Sequence, residues 1–591
     1  MSGSEASRGS LAAMPHNGPM AVSSNQRAEG FAYWIDHLVV AGEVLPLVYP
    51  GVVAIVGGNN VGKSTMLRQI EEAVRAPGRV SVEPPAVLDR LMTGRLGGER
   101  ELHDWLREKH LVELAQGREL IRGTGQDLTL AHWMLEPSNA NHIAGVFVRL
   151  SRIEERAGMV NAVAANPDIS APASHPLHAL RGDAALLQQF LDVASSVFGM
   201  TLTLDTLSGL VGFRVGAPTA QAPLVTEAYG QFGQQMGELP LLSAQGDGVR
   251  SALGTLLPVI ANPPMVLLLD EPEAFLHPPQ ARELGRQLAH LAVDQGFQII
   301  LATHDKNLLT GLVEAGNAGV SVLHLKRDID QASAQLLSSA QVDQLRSDPV
   351  LRYGDALDGL FHHAVVLVED PKDAVFYTAA LDELAGQRGM AAYNIQFLAT
   401  YGKGNMAKVS RVLRALGISV VASPDLDILD NRSNVQNLVS AQGGAWADIE
   451  PDYQAATQQF RAARQAPSRE WVATRVKQIL GASSDSSLSA QELTELRGAV
   501  SSESAWKPLK IYGRTAFTED PAAATRLLDA LETLGVVVVR VGELERFLTD
   551  VTVAKGPDWL GKALEAGAHR TPEAQDHVKR ILRVLGISIT R

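Results

Sequence analysis

The chain contains no cysteine in its 591 residues. That excludes disulfides and thiolate-bound zinc, and it fits a cytoplasmic protein. No window approaches the ~18 consecutive apolar residues that a membrane-spanning helix needs. The opening stretch, MSGSEASRGSLAAMPHNG, lacks the apolar core of a secretory signal, so residues 1–28 read as a disordered tail. Positive charge is in short supply too: 52 Lys and Arg stand against 65 Asp and Glu, for a formal net charge of −13. Such a body does not attract nucleic acid over its whole surface. Any nucleic-acid contact would run through a local basic surface or a metal bridge. Internal repeats and sustained heptads are missing as well, which excludes a solenoid and a coiled-coil arm.

What is present is ordinary for a globular protein: 46% hydrophobic and 20% charged residues. A single core stops growing near about 250–300 residues, so more than one is expected. The stretch VLLLDEPEAFLHP at 266–278 is an uninterrupted apolar run that ends in two acids. It reads as a strand buried on both faces of a parallel sheet, with ligands at its carboxyl end. Asp270 there would hold Mg²⁺ through water, and Glu271 would polarise an attacking water. This is a Walker B layout, and it requires a phosphate-binding loop upstream.

Residues 52–56 supply a short apolar strand leading into GGNNVGKST at 57–65, and a helical pattern follows. This is GxxxxGK[ST] in its required strand-before, helix-after context. Gly57, Asn60, Gly62 and Thr65 belong to the loop whose N–H groups close around phosphate oxygens. Lys63 faces the β- and γ-phosphates, and the Ser64 hydroxyl ligates Mg²⁺. Upstream, residues 31–49 alternate around Gly42 and suggest an antiparallel pair at the sheet edge.

Between about 76 and 237, residues 145–150 (GVFVRL) read as a strand and 186–198 as a helix. The charged cluster SRIEER at 151–156 reads as a solvated turn, and Gln126 in GTGQD is an unplaced candidate for a γ-phosphate-sensing glutamine. LSAQGDGVR at 242–250 puts Ser243 and Gly246 at a helix N-terminus, where exposed N–H groups favour an anion. A second buried strand, 297–303, ends at His304, which can reach a γ-phosphate from the sheet edge.

GGNNVGKST, SAQGDG, LLLDEPEAFLHP and LATHD, in that order, make residues 29–325 resemble an ABC-type ATPase head of the recombination-repair and OLD ("overcoming lysogenisation defect") group. The resemblance implies two heads that sandwich ATP. Ser243 and Gly246 would serve a nucleotide bound mainly by the partner head, Glu271 would be the catalytic base and His304 the switch. SAQGDG departs from the usual LSGGQ.

Residues 326–360 read as a mixed, mostly helical connection. A new α/β pattern begins at 361. The strand 364–368 leads to Glu369, with Asp373 one turn on. The strand 395–399 leads to a Gly turn, and the strand 418–422 ends at Asp425-Leu426-Asp427. Carboxylates crowded at one sheet edge repel unless a divalent cation neutralises them, and hard oxygen ligands favour Mg²⁺ or Mn²⁺.

This second pattern resembles a TOPRIM domain over 361–430 and again over 536–546, within a domain spanning 361–591. By that resemblance Glu369 is the first acid, Asp425 and Asp427 the DxD, and Asp373 a further acid of the nuclease branch. Asp370-Pro371 stands where the family usually has Gly. Residues from about 431 to 510 form a helical insertion. It carries Arg461, Arg464, Arg469, Arg475 and Lys477 with Trp471, read as a solvated helix and the best local candidate for a phosphate-backbone surface. Glu545, after the strand 536–541, is a second-metal candidate. Lys555 or Lys510 would stabilise charge on a cleaved phosphate.

The fold class expected is therefore α/β: an ABC-type P-loop ATPase head followed by a TOPRIM domain with a helical insertion. The resemblance implies an ATP-regulated, divalent-metal-dependent endonuclease of the OLD type in anti-phage defence, as in Gabija-like systems. DNA is favoured over RNA as substrate, the heads would form a homodimer or higher oligomer, and a second defence protein would be a further partner. The rivals are an ATPase sensor or scaffold with a degenerate TOPRIM, and a toxin-like ribonuclease cutting a specific RNA such as tRNA. A topoisomerase is disfavoured by the lack of a tyrosine-bearing cleavage domain, and a primase by the lack of zinc-ribbon cysteines.

Overall fold

A computed structural model of the chain describes residues 30–75, 86–122, 124–133, 143–166, 168, 172–207, 209–224, 230–316, 319–328, 331–347, 355–388, 393–461, 468–481, 487–500, 504–548 and 558–587. Residues 1–28, read as a tail, lie outside the described residues, as do Arg464 and Lys555.

In chain order, the first half supplies β1 (Ala32–Val40), β2 (Glu43–Pro46), β3 (Gly51–Val56), α1 (Lys63–Arg75), β4 (Arg90–Leu96) and β5 (Val148–Ser151). It continues with α2 (Asp247–Ala261), β6 (Val266–Asp270), α3 (Pro278–Asp294), β7 (Gln298–Ala302), α4 (Lys306–Glu314), β8 (Val320–Asp328) and β9 (Gln331–Leu337). The head is built on a six-stranded sheet of order β9-β8-β3-β7-β6-β5, parallel except for the β8–β9 pair. All six residues of β3 and all five of β7 are buried, as expected of central strands covered on both faces. The phosphate-loop strand β3 and the Walker B strand β6 flank β7, so all three loops that carry the ATPase motifs leave the same carboxyl edge.

Two sequence expectations need correction. The 31–49 pair does form antiparallel β1 and β2, but β1 also pairs with β4 in a separate three-stranded sheet, not at the edge of the main one. The stitch between the sheets is Gln298 on β7, whose buried amide bonds the backbone of Ile35 and Val48. The segment 326–360, read as a mixed, mostly helical connection, is helical over Ser339–Ser347 but opens with the end of β8 and with β9, which completes the head sheet through the β8 hairpin. A short alternating strand (QASAQLL) carries too few apolar residues to declare itself beside so many helix formers.

The second half supplies β10 (Ala364–Val368), α5 (Pro371–Gly386), β11 (Ile395–Ala399), α6 (Lys403–Ala415) and β12 (Ser419–Ala422), with the parallel order β11-β10-β12. Of the apolar run 536–541, residues 536–539 lie buried alongside β12 and the residues that follow it, joined by the parallel bridges Ala422–Val536 and Asp425–Val539, and do not form a continuous strand. The stretch read as an insertion is helical, including Arg432–Ala441, Trp446–Thr457, Arg469–Leu480 and Ala490–Val500.

The two halves share a core. Val52, Leu267 and Leu301 on one face of the head sheet, with Leu312 on α4, belong to the same buried cluster as Val365 and Leu413 of the second domain. The other face of the second sheet is closed by Phe376, Tyr377 and Phe547 packed on the C-terminal helix Pro572–Val584 through Val578 and Ile581.

Candidate functional site

The nucleotide loop follows β3 directly. Gly57 (φ +148°), Asn60 (φ +63°) and Gly62 (φ +104°) hold the positive dihedrals that wrap the loop, and Lys63 opens α1. A Cβ on Gly57 would stand 2.3 Å from the Leu325 carbonyl oxygen of β8, so only glycine fits there. Lys63 is buried, with Nζ donating at 2.9 Å to the carbonyls of both Gly57 and Gly58; burial holds its ammonium below the usual value. Ser64 Oγ donates to Asp270 Oδ1 at 2.9 Å, which joins the loop's hydroxyl to the Walker B acid, whose pKa is raised chiefly by burial. Thr65 lies one residue on and accepts from Arg68 at 3.3 Å.

At the end of β6, Glu271 has φ +45°, and its amide bonds the Ala302 carbonyl at 2.9 Å. His304 Nδ1 lies 3.1 Å from Glu271 Oε1, so the expected base and switch face each other across the β6–β7 edge. Sequence reasoning passed over Glu273. It is buried, accepts from Thr303 Oγ1 at 2.6 Å and from the His304 amide at 3.3 Å, and burial pushes its carboxyl up to about 6. Its signal in DEPE was a third acid, two residues after Glu271. Ser243 sits on a 3-10 turn (Leu242–Ala244), and exposed Gly246 is the N-cap of α2. Gln126 is on a small antiparallel sheet, whereas the strand beside Walker B is β5.

The SRIEER cluster is only in part the solvated turn it resembled: Arg152, Glu154 and Glu155 are exposed, but Arg156 is buried. Arg152 bonds Glu71 on α1 at 3.3 Å, and Arg156 is 1% exposed with its guanidinium on backbone carbonyls. A charged hexapeptide gives no hint in sequence that one of its arginines points inward.

In the second domain Glu369, Asp425 and Asp427 converge, with one ligand oxygen of each within 4.8 Å of the others. Glu369 follows β10, and its Oε1 accepts from the Asp425 amide at 3.1 Å, which ties the two strand ends together. Burial, then the neighbouring Asp427 against Lys403, pushes Glu369 up to about 7; burial and then Glu369 push Asp425 well above the carboxylate range. Burial raises Asp427 too, but hydrogen bonds from Lys403 and Lys510 outweigh it and hold the group low. Lys510 Nζ is 2.7 Å from Asp427 Oδ2, and Lys403 pairs with the other oxygen.

Asp373 and Glu545 lie outside that convergent set. Asp373 is pushed up to about 6 by burial, with Asp370 and Glu545 adding repulsion. Its Oδ2 accepts from the Asp370 amide at 2.9 Å. Asp370 in turn accepts from the Lys372 amide and Pro371 takes the first helical turn, so the departure from the family's Gly is a helix cap on α5. Buried Glu543 also raises Asp425 and was not singled out from sequence. In the insertion, Arg461 is held by Thr457 and lies over the Tyr453 ring, Arg475 pairs with Glu495, and Trp471 is exposed.

Three hard carboxylates with converging oxygens and two raised pKa values are a donor set that fits a divalent oxygen-seeking ion. The positive-φ loop, Lys63 and the Ser64–Asp270 pair likewise fit a nucleotide phosphate with its metal.

Comparison with known families places two matches on this geometry. Residues 216–310, from just before the signature segment into α4, match AAA_21, an AAA domain family whose description also names an AbiEii toxin and a Type IV TA system. Residues 360–427 match the "Overcoming lysogenization defect protein-like, TOPRIM domain" family. An AAA_21 ATPase domain is thus followed by an OLD-like TOPRIM domain, an order that fits the ATPase–TOPRIM fusion of the OLD family. The ATPase and TOPRIM domains thus carry the two acid clusters described above. The Old nuclease of Escherichia phage P2 is 28% identical over 172 residues, a match spanning 28% of this chain and 28% of that protein. Among solved structures, the SMC head domain from Thermotoga maritima aligns with 14% identity and TM-score 0.28, covering 52% of this chain and 98% of that one. CbiO1 from Clostridium perfringens aligns with 13% identity and TM-score 0.26, covering 54% and 94%. The class of the ATPase domain rests on its strand order and motifs. None of its helices among the described residues is long and apolar enough to cross a membrane.

Proposed function

We propose that the protein is an ATP-regulated, divalent-metal-dependent nucleic-acid endonuclease of the OLD type. The observation that carries this reading is the convergence of Glu369, Asp425 and Asp427 within a TOPRIM domain joined to an ATPase domain. Mg²⁺ or Mn²⁺ is the ion this oxygen set suits, and when bound it would polarise the scissile phosphate and lower the pKa of an attacking water. Glu369 and Asp425 would hold it, with Asp427 completing the set. Asp373 and Glu545 are the acids from which a second ion site would be built. Lys510, already at the site's edge, would face charge developing on the cleaved phosphate, the role also considered for Lys555.

In the ATPase domain Lys63, Ser64 and Asp270 would hold MgATP, Glu271 would orient the attacking water, and His304 would steady Glu271. Ser243 and Gly246 would complete the site of a second head, giving a homodimer or higher oligomer whose ATP state gates cleavage. DNA is the favoured substrate, anti-phage defence in the cytoplasm the favoured setting, and a second defence protein, as in Gabija, a fitting partner.

The test is incubation of the pure protein with plasmid DNA and Mn²⁺, with and without ATP, beside Glu369→Ala. Cleavage by the wild type that the variant loses supports the reading. No cleavage of any DNA or RNA by the wild type refutes it.

A further inference from the structure

Arg156 is the largest side chain buried completely among the described residues, at 1% exposure, and its hydrogen bonds run to backbone carbonyls and one hydroxyl. Its Nη1 donates to the Glu271 carbonyl at 3.0 Å, and Nη2 to the Ser151 carbonyl at 2.8 Å and also to the Asp270 carbonyl; Nε reaches Ser151 Oγ at 3.3 Å. Burying a guanidinium costs several kcal/mol unless its donors are met, so it marks a place where geometry outweighs that cost.

What it grips is the one strained residue of the ATPase edge that also bears the expected base. Glu271 has φ +45°, a conformation non-glycine residues hold only when neighbours over-determine it, at about 1–3 kcal/mol. β7 fixes its amide through the Ala302 carbonyl at 2.9 Å, and Arg156 fixes its carbonyl from the other flank. The same loop is tied to α1 by Arg152 and Glu71. On its far side α2, the helix that begins at Gly246, presses Gly254 so close that a Cβ there would stand 1.9 Å from the Arg156 carbonyl oxygen.

We propose that Arg156 is a positioning residue for ATP hydrolysis: it holds the Asp270–Glu271 backbone so that Glu271 meets His304, and it links that backbone to α2. The proposal rests on the ATPase reading given above. Arg156 meets Asp270 only at its backbone carbonyl, while the Asp270 carboxylate is held by Ser64, so loss of Arg156 should fall on turnover far more than on binding. A lysine keeps the charge but cannot span three carbonyls with a planar fork, so it should restore activity only in part.

The experiment measures phosphate release and equilibrium binding of a fluorescent ATP analogue for the full-length wild type, Arg156→Gln and Arg156→Lys, with melting temperature as a control. Arg156→Gln should lower kcat about 100-fold, the effect of misplacing a catalytic group by about 1 Å. KM and analogue affinity should stay within about threefold of wild type. Arg156→Lys should fall between the two in kcat, and it alone decides the question if the glutamine variant does not fold. Wild-type turnover with kcat unchanged in the lysine variant overturns the proposal. So does a kcat loss matched by loss of analogue binding, which marks a merely structural role. Absence of turnover in the wild type refutes the ATPase reading itself.

Discussion

His324 Nδ1 donates to the Leu416 carbonyl at 2.8 Å, and this bond joins the head to the second domain. His324 lies on β8, the neighbour of phosphate-loop strand β3, and the next residue along, Leu325, presents the carbonyl that crowds Gly57. Leu416 caps the C-terminus of α6, whose first residue, Lys403, pairs with Asp427. Lys326 reaches the adjacent Gly417 carbonyl, so cations and donors of the head meet the negative end of the helix dipole. One rigid helix thus runs from the edge of the nucleotide sheet to the acid cluster.

The first prediction follows from that rod. His324→Ala removes the donor while leaving both catalytic sets untouched. Plasmid cleavage rates with and without ATP should converge toward a ratio of one, while ATP hydrolysis stays within about twofold, since an unmet buried acceptor costs stability more than local chemistry. An ATP dependence as large as that of the wild type would break the link.

The same histidine sets a pH dependence. Burial lowers its pKa from the usual 6.5 to about 4. Between those values the unfolded chain binds a proton that the folded chain refuses, so stability is full above about pH 6.5 and falls as pH drops toward 4. A shift of that size corresponds to on the order of 3 kcal/mol. Buried His577, also depressed, acts in the same direction, so the acid loss will not vanish in a single variant. Melting temperatures at pH 7.5 and 5.0 should differ less in His324→Asn than in wild type. Equal differences would mean that His324 titrates normally.

How much of this was readable beforehand varies with the physics involved. GGNNVGKST and LLLDEPE stand out in the sequence because the phosphate binding proposed for them demands particular residue types at fixed spacing on particular strands. The acids at 369, 425 and 427 were legible for the same reason, each marking the end of an apolar run. Arg156, Glu273 and Lys403 were not, since their roles depend on which distant backbone each one faces, and no local pattern encodes that. β9 was missed because a short edge strand earns its place by pairing with β8, a tertiary fact.

Lys403 carries a prediction about metal affinity. With Lys510 it neutralises Asp427 while Glu369 and Asp425 repel each other. Lys403→Gln removes one positive charge from the acid cluster and should tighten Mn²⁺ binding by about tenfold, a modest share of the Coulomb energy at such range. Titration calorimetry of the two proteins checks it; equal or weaker binding by the variant would show that the lysine does not compete with the ion.

The expected head pairing can be tested by complementation. Gly246 has open space at its Cβ position and φ −60°, so Gly246→Ala should fold with an unchanged melting temperature. If Gly246 serves a partner's nucleotide, mixing inactive Gly246→Ala with inactive Lys63→Ala creates mixed dimers with one intact composite site. ATPase activity of the mixture should rise to roughly a quarter of the wild-type value, from half the dimers having one of two sites. A mixture as inactive as its components would refute sharing across heads.

The glycines of the phosphate loop give the last contrast. Gly57 combines φ +148° with a carbonyl 2.3 Å from its would-be Cβ, whereas a Cβ on Gly58 would meet only Val61 Cγ1 at 3.9 Å. Gly57→Ala must push β8 away from the loop or unwrap the loop, at about 1–3 kcal/mol in strain alone. It should lower the melting temperature and abolish ATP binding, and because β8 carries His324 it should also weaken the contact with α6. Gly58→Ala should keep wild-type stability and bind nucleotide within a few-fold. Limited proteolysis with and without ATP, read beside the melting curves, separates the two. Similar behaviour of both variants would mean that the approach of β8 to the loop is not what Gly57 is there to allow.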